Sequence, residues 1–437
     1  MTAPYDIVMV GAGIVGLATA HELTTRHPSL RVAIVEKEVQ PGLHQSGHNS
    51  GVLHAGVYYA PGSLKARLCV EGKELMTAFA EEHGITYELC GKLIVATEES
   101  ELGRLENLFE RASRNGVPGL KVVGPDEIAE IEPHSAGIRA LHSPQTGIID
   151  FGGVVRTLVD LLRAKGVEFF FGQQVTGIRQ QGDLQIVQTP GAEFAAKGVI
   201  SCAGLQSDKV AAMNSEPELR IMPFRGDYYT LRPEARHLCR GLIYPVPDPD
   251  LPFLGVHFTK RFDGAVWAGP NAVLALKREG YKRTDLSIPE LFETVSNPGF
   301  VKMAAKMWKS GAQEMWRDAV KPAFVKDLQR YVPAVTSADL VFGPSGVRAQ
   351  AVSRAGELVD DFAVSVAGRS VHVLNAPSPA ATASLAIARL IADRASEALD
   401  LAAPAPAKPK ATRTRSTATT ATTKKAATTA KKTAAAT

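Results

Sequence analysis

The stretches Tyr5-Asp-Ile-Val-Met-Val10, Gly11-Ala-Gly-Ile-Val-Gly16 and Arg31-Val-Ala-Ile-Val-Glu36-Lys37 decide the fold of this chain. Two short runs rich in β-branched residues flank one segment of helical length, which is the pattern of a strand–helix–strand unit. Glycines occupy the turn between the first strand and the helix. Residues 5–37 therefore predict the start of an α/β domain built on a parallel sheet.

The glycines of this turn have separate structural roles. Gly11 allows the tight turn off the strand, Gly13 lets the backbone approach a pyrophosphate, and Gly16 lets the helix pack closely on the strand. The helix that starts around Ile14 and Val15 presents free N–H groups and the positive end of its dipole to the phosphates. The turn therefore predicts a dinucleotide site, although a glycine-rich turn without a ligand is the alternative.

An acidic residue ends the second strand. Glu36 lies twenty residues after Gly16, where a carboxylate accepts hydrogen bonds from a ribose 2′-hydroxyl and repels a 2′-phosphate. The motif argues against NADP as the ligand. By itself it does not separate FAD from NAD.

The composition is that of a soluble globular protein. The chain has 437 residues, of which 45% are apolar and 22% charged, so it is long enough for two domains. No stretch has the pattern of a transmembrane helix, and the early start of the strand–helix unit predicts that there is no signal peptide. The cysteines are far apart, form no CxxC pair and favour reduced thiols in a cytoplasmic protein; they are Cys69, Cys90, Cys202 and Cys239.

The basic charge belongs to the end of the chain. Residues 404–437 consist almost wholly of Ala, Thr, Pro, Lys and Arg, with eight bases and no acid. The formal net charge of +4 therefore becomes −4 for residues 1–403. Because residues 404–437 have almost no large apolar side chains to bury, we expect this tail to be disordered.

The order of patterns along the chain predicts a discontinuous two-domain architecture. We expect an α/β fold in which a Rossmann-type dinucleotide-binding domain carries an inserted α+β substrate domain. The Rossmann-type pieces are residues 1–90, 148–220 and 340–400, and the substrate domain comprises residues 91–147 and 221–339.

A glycine-rich segment between residues 42 and 59 is the second motif. Its glycines, Gly51 among them, let backbone lie against a flat ligand, while Ser46, Asn49 and Ser50 supply short hydrogen-bonding groups. His54 has the chemistry of a general base with a pKa near the working pH. One alternative is a loop of hydrogen-bonded histidines. Another is a metal site formed by His44, His48 and His54, but it requires a helical face that the glycines disfavour.

Several longer stretches resemble one family, the FAD-dependent L-2-hydroxyglutarate dehydrogenases (oxidases), which belong to the D-amino-acid oxidase-like flavoproteins. The resemblance spans residues 5 to about 395 and excludes the tail. The stretches that carry it are Gly11–Gly16, Glu36-Lys37, His44-Gln-Ser-Gly-His-Asn-Ser-Gly-Val-Leu-His-Ala-Gly-Val-Tyr-Tyr59, Gly62-Ser-Leu-Lys-Ala66, Pro223-Phe-Arg-Gly-Asp-Tyr228, Ile243-Tyr-Pro-Val-Pro-Asp248, Pro252-Phe-Leu-Gly-Val-His-Phe258, Gly269-Pro-Asn-Ala-Val-Leu-Ala275, Gly346-Val-Arg-Ala-Gln350 and Asn375-Ala-Pro-Ser-Pro-Ala-Ala-Thr382.

The resemblance implies FAD as the cofactor. The sequence offers no clear site for covalent attachment, so we expect non-covalent binding. The Asn375–Thr382 loop then lies at the flavin N1/O2 end, where N–H groups and a helix dipole stabilise the reduced ring; an ordinary proline-rich helix start is the alternative. The cofactor-binding residues we expect are Gly11, Gly13, Ile14, Val15, Gly16, Glu36, Lys37, His44, Ser46, Asn49, Ser50, Gly51, Val175, Ala203, Gly204, Arg348, Asn375, Pro377 and Ser378.

The resemblance also implies oxidation of L-2-hydroxyglutarate to 2-oxoglutarate. A dicarboxylate needs cations, and Arg225 and Arg348 can each clamp a carboxylate bidentately, although surface ion pairing is the alternative for both. Tyr228 is a weaker substrate-binding candidate. His54 is the preferred catalytic base and His257 its rival, removing the hydroxyl proton while the C2 hydrogen leaves as hydride.

Electrons are then expected to pass to a quinone, another acceptor or oxygen. The leading interpretation of the tail is a solubilising extension. The functional alternative is that it holds the enzyme near a membrane quinone, on the inner face of the cell membrane, because lysines and arginines attract anionic lipid; nucleic acid is the less favoured partner. Two rivals remain at this stage. One is a related flavoenzyme that oxidises amines, amino acids or glycerol 3-phosphate, and the other is a protein that binds FAD without turnover.

Overall fold

The strand–helix–strand unit predicted from residues 5–37 is present in the computed structural model, which describes residues 3–248 and 254–401. The described residues belong to one compact unit. The disorder and membrane contact predicted for residues 404–437 concern a segment outside the described residues. In the part of the chain that is described, no helix combines the length and the apolar character needed to cross a bilayer.

Twenty strands occur within the described residues. In chain order they are β1 (Tyr5–Val10), β2 (Val32–Val35), β3 (Val52–Leu53), β4 (Tyr87–Glu88), β5 (Lys92–Ala96), β6 (Lys121–Val123), β7 (Arg139–Ser143), β8 (Gly147–Ile149), β9 (Glu168–Phe170), β10 (Gly177–Gln181), β11 (Leu184–Gln188), β12 (Glu193–Ser201), β13 (Leu219–Leu231), β14 (Leu242–Pro245), β15 (His257–Lys260), β16 (Val266–Gly269), β17 (Val273–Leu274), β18 (Leu340–Ser353), β19 (Ala363–Ala367) and β20 (Ser370–Asn375).

The same residues form ten α-helices. They are α1 (Ile14–Arg26), α2 (Leu64–His83), α3 (Leu102–Arg114), α4 (Pro125–Ile131), α5 (Phe151–Ala164), α6 (Ser207–Ala211), α7 (Ile288–Val295), α8 (Pro298–Ala319), α9 (Lys321–Gln329) and α10 (Ala380–Leu399).

The first large sheet contains the parallel strands predicted from the opening motif. Among the described residues its order is β10-β11-β12-β1-β2-β9, and β20 lies parallel to β12 and antiparallel to β19. β1 runs parallel to both β2 and β12, with Val8 beside Ala33 and Val199. Residues of β1 alternate between two cores, because successive strand side chains point to opposite faces. Ile7 and Met9 pack with α1, α5 and α10, whereas Val8 and Val10 pack beside β10 to β12.

The second large sheet is mainly antiparallel. Among the described residues its order is β17-β13-β16-β15-β14-β5-β7-β6, and β18 pairs with β13 from Leu219 opposite Ser353 to Leu231 opposite Leu340. The predicted boundary at residue 340 is therefore wrong: residues 340–353, which we assigned to the Rossmann-type domain, lie in the sheet formed by the inserted segments. The sequence pattern did not show this assignment, because the single strand β18 contributes residues to both parts of the structure. The other predicted boundaries stay predictions.

A small sheet of order β3-β8-β4 holds the end of the glycine-rich segment, among the described residues. β3 pairs with β8, so Val52 lies opposite Ile148. The chain leaves this sheet between β4 and β5, because β5 belongs to the second large sheet. The change of sheet occurs at Gly91, whose φ of +78° suits a turn that leaves one sheet and enters another.

Candidate active site

A cavity of about 750 Å³ is lined by residues from both large sheets. It meets the first sheet just beyond the carboxyl ends of its parallel strands, at Val10, Val35, Cys202 and Asn375. Ligands of open α/β sheets bind at this edge, because the strand ends and the helix starts leave a crevice there. The cavity is therefore the candidate active site.

The structure brings nearly all the predicted site residues to this cavity. Gly16 and Pro377 are predicted residues that are not among its lining residues. The predicted residues that line it are Gly11, Gly13, Ile14, Val15, Glu36, Lys37, His44, Ser46, Asn49, Ser50, Gly51, His54, Val175, Ala203, Gly204, Arg225, Tyr228, His257, Arg348, Asn375 and Ser378.

The glycine turn has the close approaches that its sequence predicted. A Cβ on Gly11, whose φ is +99°, would lie 2.7 Å from the carbonyl oxygen of Cys202, and a Cβ on Gly16 would lie 2.3 Å from the carbonyl oxygen of Gly11. Gly16 therefore acts through packing of α1 on β1 and does not touch a ligand. α1 begins without a side-chain cap and without an acid in its first turn, while the Ile14 N–H donates to Ser46 Oγ at 2.9 Å. The start of α1 is thus free of negative charge, as a pyrophosphate requires.

Glu36 is held in position by two backbone groups. Its carboxylate accepts the Ala12 N–H at 2.7 Å and the Glu38 N–H at 2.9 Å. Each carboxylate oxygen retains further acceptor capacity, and Glu36 lines the cavity. The side chain is therefore fixed where it can accept a ribose hydroxyl.

A cluster of ion pairs surrounds Lys37. Its Nζ lies 2.5 Å from Glu38 Oε1, 2.8 Å from Glu279 Oε2 and 2.8 Å from His44 Nε2. Glu38, His44 and Glu279 bring ligand atoms close enough together for a metal ion, but the ammonium group of Lys37 already contacts all three. The Lys37 ammonium group therefore occupies the centre of this cluster, and the cluster holds Lys37 and His44 in place beside the cavity.

His48 and His54 do not join His44 in a metal-binding group among the described residues. His48 instead stacks on Tyr281 with ring centroids 4.0 Å apart, and its Nδ1 lies 2.9 Å from the carbonyl oxygen of Ser345.

The loop before α10 closes the other end of the cavity. The Asn375 side chain donates to the carbonyl oxygens of Val359 at 3.0 Å and Asp361 at 2.8 Å. The carbonyl oxygen of Pro377 accepts the Ala380 N–H at 2.9 Å. Asn375 and Pro377 therefore shape the loop, and direct contact of Pro377 with a cofactor is a prediction that the lining residues do not support.

α10 starts at this loop. It has no side-chain cap and no acid in its first turn, and Ala380 and Ala381 line the cavity. Two helix N-termini, those of α1 and α10, thus meet one cavity. This arrangement fits a long cofactor that carries a pyrophosphate and, some distance from it, a ring that becomes negatively charged when reduced.

Two neutral histidines line the cavity. Burial, together with the positive charge of Lys92, lowers the pKa of His54 well below its ordinary value. Burial lowers the pKa of His257 to about 3. The His257 Nδ1 lies 2.9 Å from the carbonyl oxygen of Gly255, so Nδ1 carries the hydrogen and Nε2 carries the lone pair. Both imidazoles are therefore neutral at pH 7. The pKa near the working pH that we expected for His54 is wrong, because burial disfavours its charged form.

Lys92 is a functional candidate that the sequence reasoning missed. It is 2% exposed, and its Nζ lies 4.0 Å from the ring centroid of Tyr244 and 5.1 Å from that of Tyr58. Burial lowers the pKa of Lys92 to about 7. A lysine at the head of the apolar run of β5 was the available signal, because a buried strand rarely contains an unpaired lysine.

The two predicted arginines differ in their surroundings. Arg225 is buried, and its Nε donates to Asp227 Oδ1 at 3.0 Å. Arg348 lies 3.7 Å from Asp360 Oδ1, and the Asp360 side chain is 73% exposed. Asp227 therefore holds Arg225 inside the protein, and an exposed carboxylate lies near Arg348. Both arginines line the cavity, and binding of a substrate carboxylate by either one stays a prediction.

Comparison with known proteins gives the family. The model of the FAD dependent oxidoreductases matches residues 6–394. A mitochondrial L-2-hydroxyglutarate dehydrogenase of Nematostella vectensis is 49% identical, with 91% of each chain covered. The L-2-hydroxyglutarate dehydrogenase of Indibacter alkaliphilus is 47% identical over 88% of this chain and 96% of its own. The human mitochondrial L-2-hydroxyglutarate dehydrogenase is 44% identical over 92% of this chain and 90% of its own.

A solved structure shows the same fold. The FAD-bound L-α-glycerophosphate oxidase of Mycoplasma pneumoniae matches with a TM-score of 0.76 and 22% identity, covering 93% of this chain and 97% of its own. FAD is thus the cofactor that the two uncapped helix starts and Glu36 fit. With a family model over residues 6–394 and relatives this similar over nine-tenths of the chain, the protein belongs to the L-2-hydroxyglutarate dehydrogenase family of FAD-dependent oxidoreductases.

Proposed function

We propose that this protein oxidises L-2-hydroxyglutarate to 2-oxoglutarate. One observation carries the proposal: a single cavity is lined by the glycine turn between β1 and α1, by the neutral imidazoles of His54 and His257, and by two arginines. FAD, when bound there, supplies the acceptor for the hydride that leaves C2. The names of relatives that are 43–49% identical support this substrate.

His54 is the base in this proposal. Its backbone N–H donates to Thr382 Oγ1 at 3.2 Å, which ties it to the start of α10. A neutral imidazole at this position accepts the hydroxyl proton as the C2 hydrogen departs. His257 faces the same cavity with Nε2 as an acceptor and is the alternative base.

Arg348 binds one substrate carboxylate in this proposal. Its Asp360 partner is exposed, so a carboxylate that enters the cavity can replace a solvated contact with a charge-assisted pair. Arg225 contributes differently, because Asp227 fixes its guanidinium. It orients the cavity wall and adds positive potential, while Tyr228 lines the wall beside it.

The electron acceptor and the location complete the proposal. We infer that a quinone, another acceptor or oxygen takes the electrons, and that the protein is cytoplasmic with peripheral attachment to the inner face of the membrane. All four cysteines are free, which suits a reducing compartment. The eight bases of residues 404–437 supply the attraction to anionic lipid.

Anaerobic mixing with substrate tests the proposal. L-2-hydroxyglutarate should bleach the flavin absorbance, whereas D-2-hydroxyglutarate should not. Glycerol 3-phosphate and amino acids, the substrates of the rival flavoenzymes, serve as controls. Bleaching by one of these controls alone would identify a rival function, and the absence of bleaching by the whole panel would indicate a protein that binds FAD without this turnover.

A further inference from the structure

Helix α8 contributes unusually little to the core. It has 22 residues, and its buried residues are Gly299 and Met303. Most helices in proteins gain their stability by burying one face. Because α8 is long and buries so few residues, the role of its outer face needs an explanation.

The solvent face of α8 is apolar. Val301, Trp308 and Met315 recur every seven residues and are 52%, 64% and 66% exposed, and Trp316 is 62% exposed. On a helix of 3.6 residues per turn this spacing forms one stripe, about half a turn away from Met303. Large apolar side chains gathered on the outside of a soluble protein indicate an interaction surface.

The basic and the acidic residues of α8 lie on different sides of the helix. Its exposed charged residues are Lys302, Lys306 and Lys309, which flank the apolar stripe. Both acids of α8 point inward. Glu314 accepts the Ala272 N–H at 3.0 Å, and Asp318 accepts a hydrogen bond from the Asn271 side chain. The outer face of the helix therefore carries positive charge and apolar groups together.

Helix α7 repeats the pattern. Ile288, Phe292 and Val295 are 65%, 69% and 41% exposed and lie at i, i+4 and i+7. Its acids are engaged elsewhere: Glu290 accepts the Arg278 N–H at 3.0 Å, and Glu293 pairs with Lys209 at 2.8 Å. Two consecutive helices thus present apolar side chains to solvent and keep their carboxylates in ion pairs or hydrogen bonds.

We propose that the exposed surfaces of α7 and α8, here called the α7–α8 face, dock on an anionic lipid surface. Tryptophan and other apolar side chains beside lysines are the combination that lies at the headgroup boundary. A second copy of the chain fits this face less well. A symmetric dimer through it would bring the lysines of both copies together, and lysine is depleted at protein–protein interfaces.

This surface goes beyond the proposed function, in which the basic tail makes the membrane contact. It also has a structural link to the active site. Asn271 and Ala272 line the cavity, and both donate to acids on the inner side of α8. Docking through α8 therefore places a wall of the cavity next to the bilayer, where a lipid-soluble acceptor resides.

Quenching of tryptophan fluorescence by brominated lipid tests the inference on the full-length holoenzyme. Vesicles of phosphatidylglycerol and phosphatidylcholine are compared with and without bromine on the acyl chains. Two of the three tryptophans of the chain, Trp308 and Trp316, lie on the α7–α8 face, and residues 404–437 contain none. Quenching therefore reports insertion of the face and is silent about the tail. We expect brominated lipid to quench the wild-type protein and to quench a Trp308→Ser variant less.

Two further variants separate the apolar and the charged contributions. Val301→Ser with Met315→Ser keeps both tryptophans and should lower partition into vesicles by roughly tenfold, with the flavin content unchanged. The matched control is Val39→Ser with Val122→Ser, at two exposed apolar residues elsewhere. This control should leave the partition into vesicles unchanged. Replacing Lys302, Lys306 and Lys309 with Gln should remove the preference for phosphatidylglycerol. The same change at Lys121, Arg139 and Arg240, exposed bases elsewhere, should not remove it.

Three outcomes overturn the proposal. Vesicle sedimentation without bromolipid quenching would assign the membrane contact to the tail alone. Self-association in ultracentrifugation that the Val301→Ser/Met315→Ser variant abolishes would assign the face to a second copy. Equal partition of wild type and variant would remove the face from lipid binding. Each result is independent of the substrate, so failure of the proposed reaction would not produce it.

Discussion

The imidazole of His257 lies nearly face to face with the phenol ring of Tyr244, with ring centroids 3.8 Å apart and an interplanar angle of 25°. The same tyrosine ring also contacts a cation, because Lys92 Nζ lies 4.0 Å from its centroid. A cation so close disfavours a second positive charge on His257. Burial is the main cause that lowers the pKa of His257, and the charge of Lys92 adds to it.

The first prediction concerns the base. His54→Asn should slow anaerobic flavin reduction by roughly 10²- to 10⁴-fold with FAD still bound, because the hydroxyl proton loses its acceptor. Stopped-flow absorbance measures the rate, and the spectrum of the oxidised protein reports FAD content. The matched variant is His257→Asn. If His257→Asn causes the loss and His54→Asn does not, the two roles are reversed.

The second prediction concerns Lys92. Its charge lowers the pKa of His54, so Lys92→Met should raise that pKa and move the acid limb of the pH profile of kcat/KM to higher pH. Lys92→Arg keeps the charge and should keep the limb near its wild-type position. An unshifted profile in Lys92→Met, in protein that retains its FAD, would remove Lys92 from the electrostatics of the base.

The third prediction separates the two arginines. Arg348→Met should weaken binding of L-2-hydroxyglutarate by about 1.5–3 kcal/mol, the scale of a lost charge-assisted hydrogen bond. Arg225→Met should chiefly lower the melting temperature, because it removes a buried partner of Asp227. Michaelis constants and thermal melts of both variants provide the comparison. A wild-type Michaelis constant in Arg348→Met would place the carboxylate elsewhere.

The fourth prediction concerns acid stability. His372 is fully buried in β20, neither ring nitrogen has a partner among the described residues, and burial lowers its pKa to about 4. The unfolded chain binds a proton near pH 6.5 and the folded chain does not, so the free energy of unfolding falls as the pH drops from about 6.5 towards 4. His372→Leu should flatten this dependence by up to a few kcal/mol. Denaturant unfolding at pH 7 and pH 5 measures the free energy of unfolding of both proteins. The same pH dependence in wild type and in His372→Leu would assign the titration to other groups.

The fifth prediction concerns the tail. Truncation after Ala403 should leave FAD content and turnover with a soluble dye unchanged, because residues 404–437 lack the apolar side chains of a folded segment. It should weaken sedimentation with anionic vesicles at low salt. Loss of dye turnover would show that the tail belongs to the fold.

The glycine turn was predictable because its chemistry is local, whereas contact of the expected residues with the cofactor stays a prediction. Gly11 and Glu36 lie in fixed positions within one strand–helix–strand unit, and the residues expected around them line one cavity. The pairing of Arg225 with Asp227 was not predictable. Arg225 and Asp227 lie two positions apart on one strand, so their side chains face the same side of the sheet. The sequence pattern does not show, however, whether Arg225 pairs with Asp227 or with a ligand. Lys92 was missed because the nearness of β5 to His54 depends on pairing between distant strands.

The packing of α10 has a consequence for folding of the chain during its synthesis on the ribosome. Leu17 of α1, Met76 of α2 and Ile387 of α10 belong to one core, and a Cβ on Gly72 would lie 2.5 Å from the Cα of Ala383. The opening strand–helix unit therefore waits for a partner more than 300 residues downstream, a delay on the order of tens of seconds at ordinary rates of synthesis. During that interval the part of its apolar surface that α10 covers is exposed, so nascent chains should depend on chaperones. Premature termination before α10 should yield an aggregate rather than a shorter enzyme.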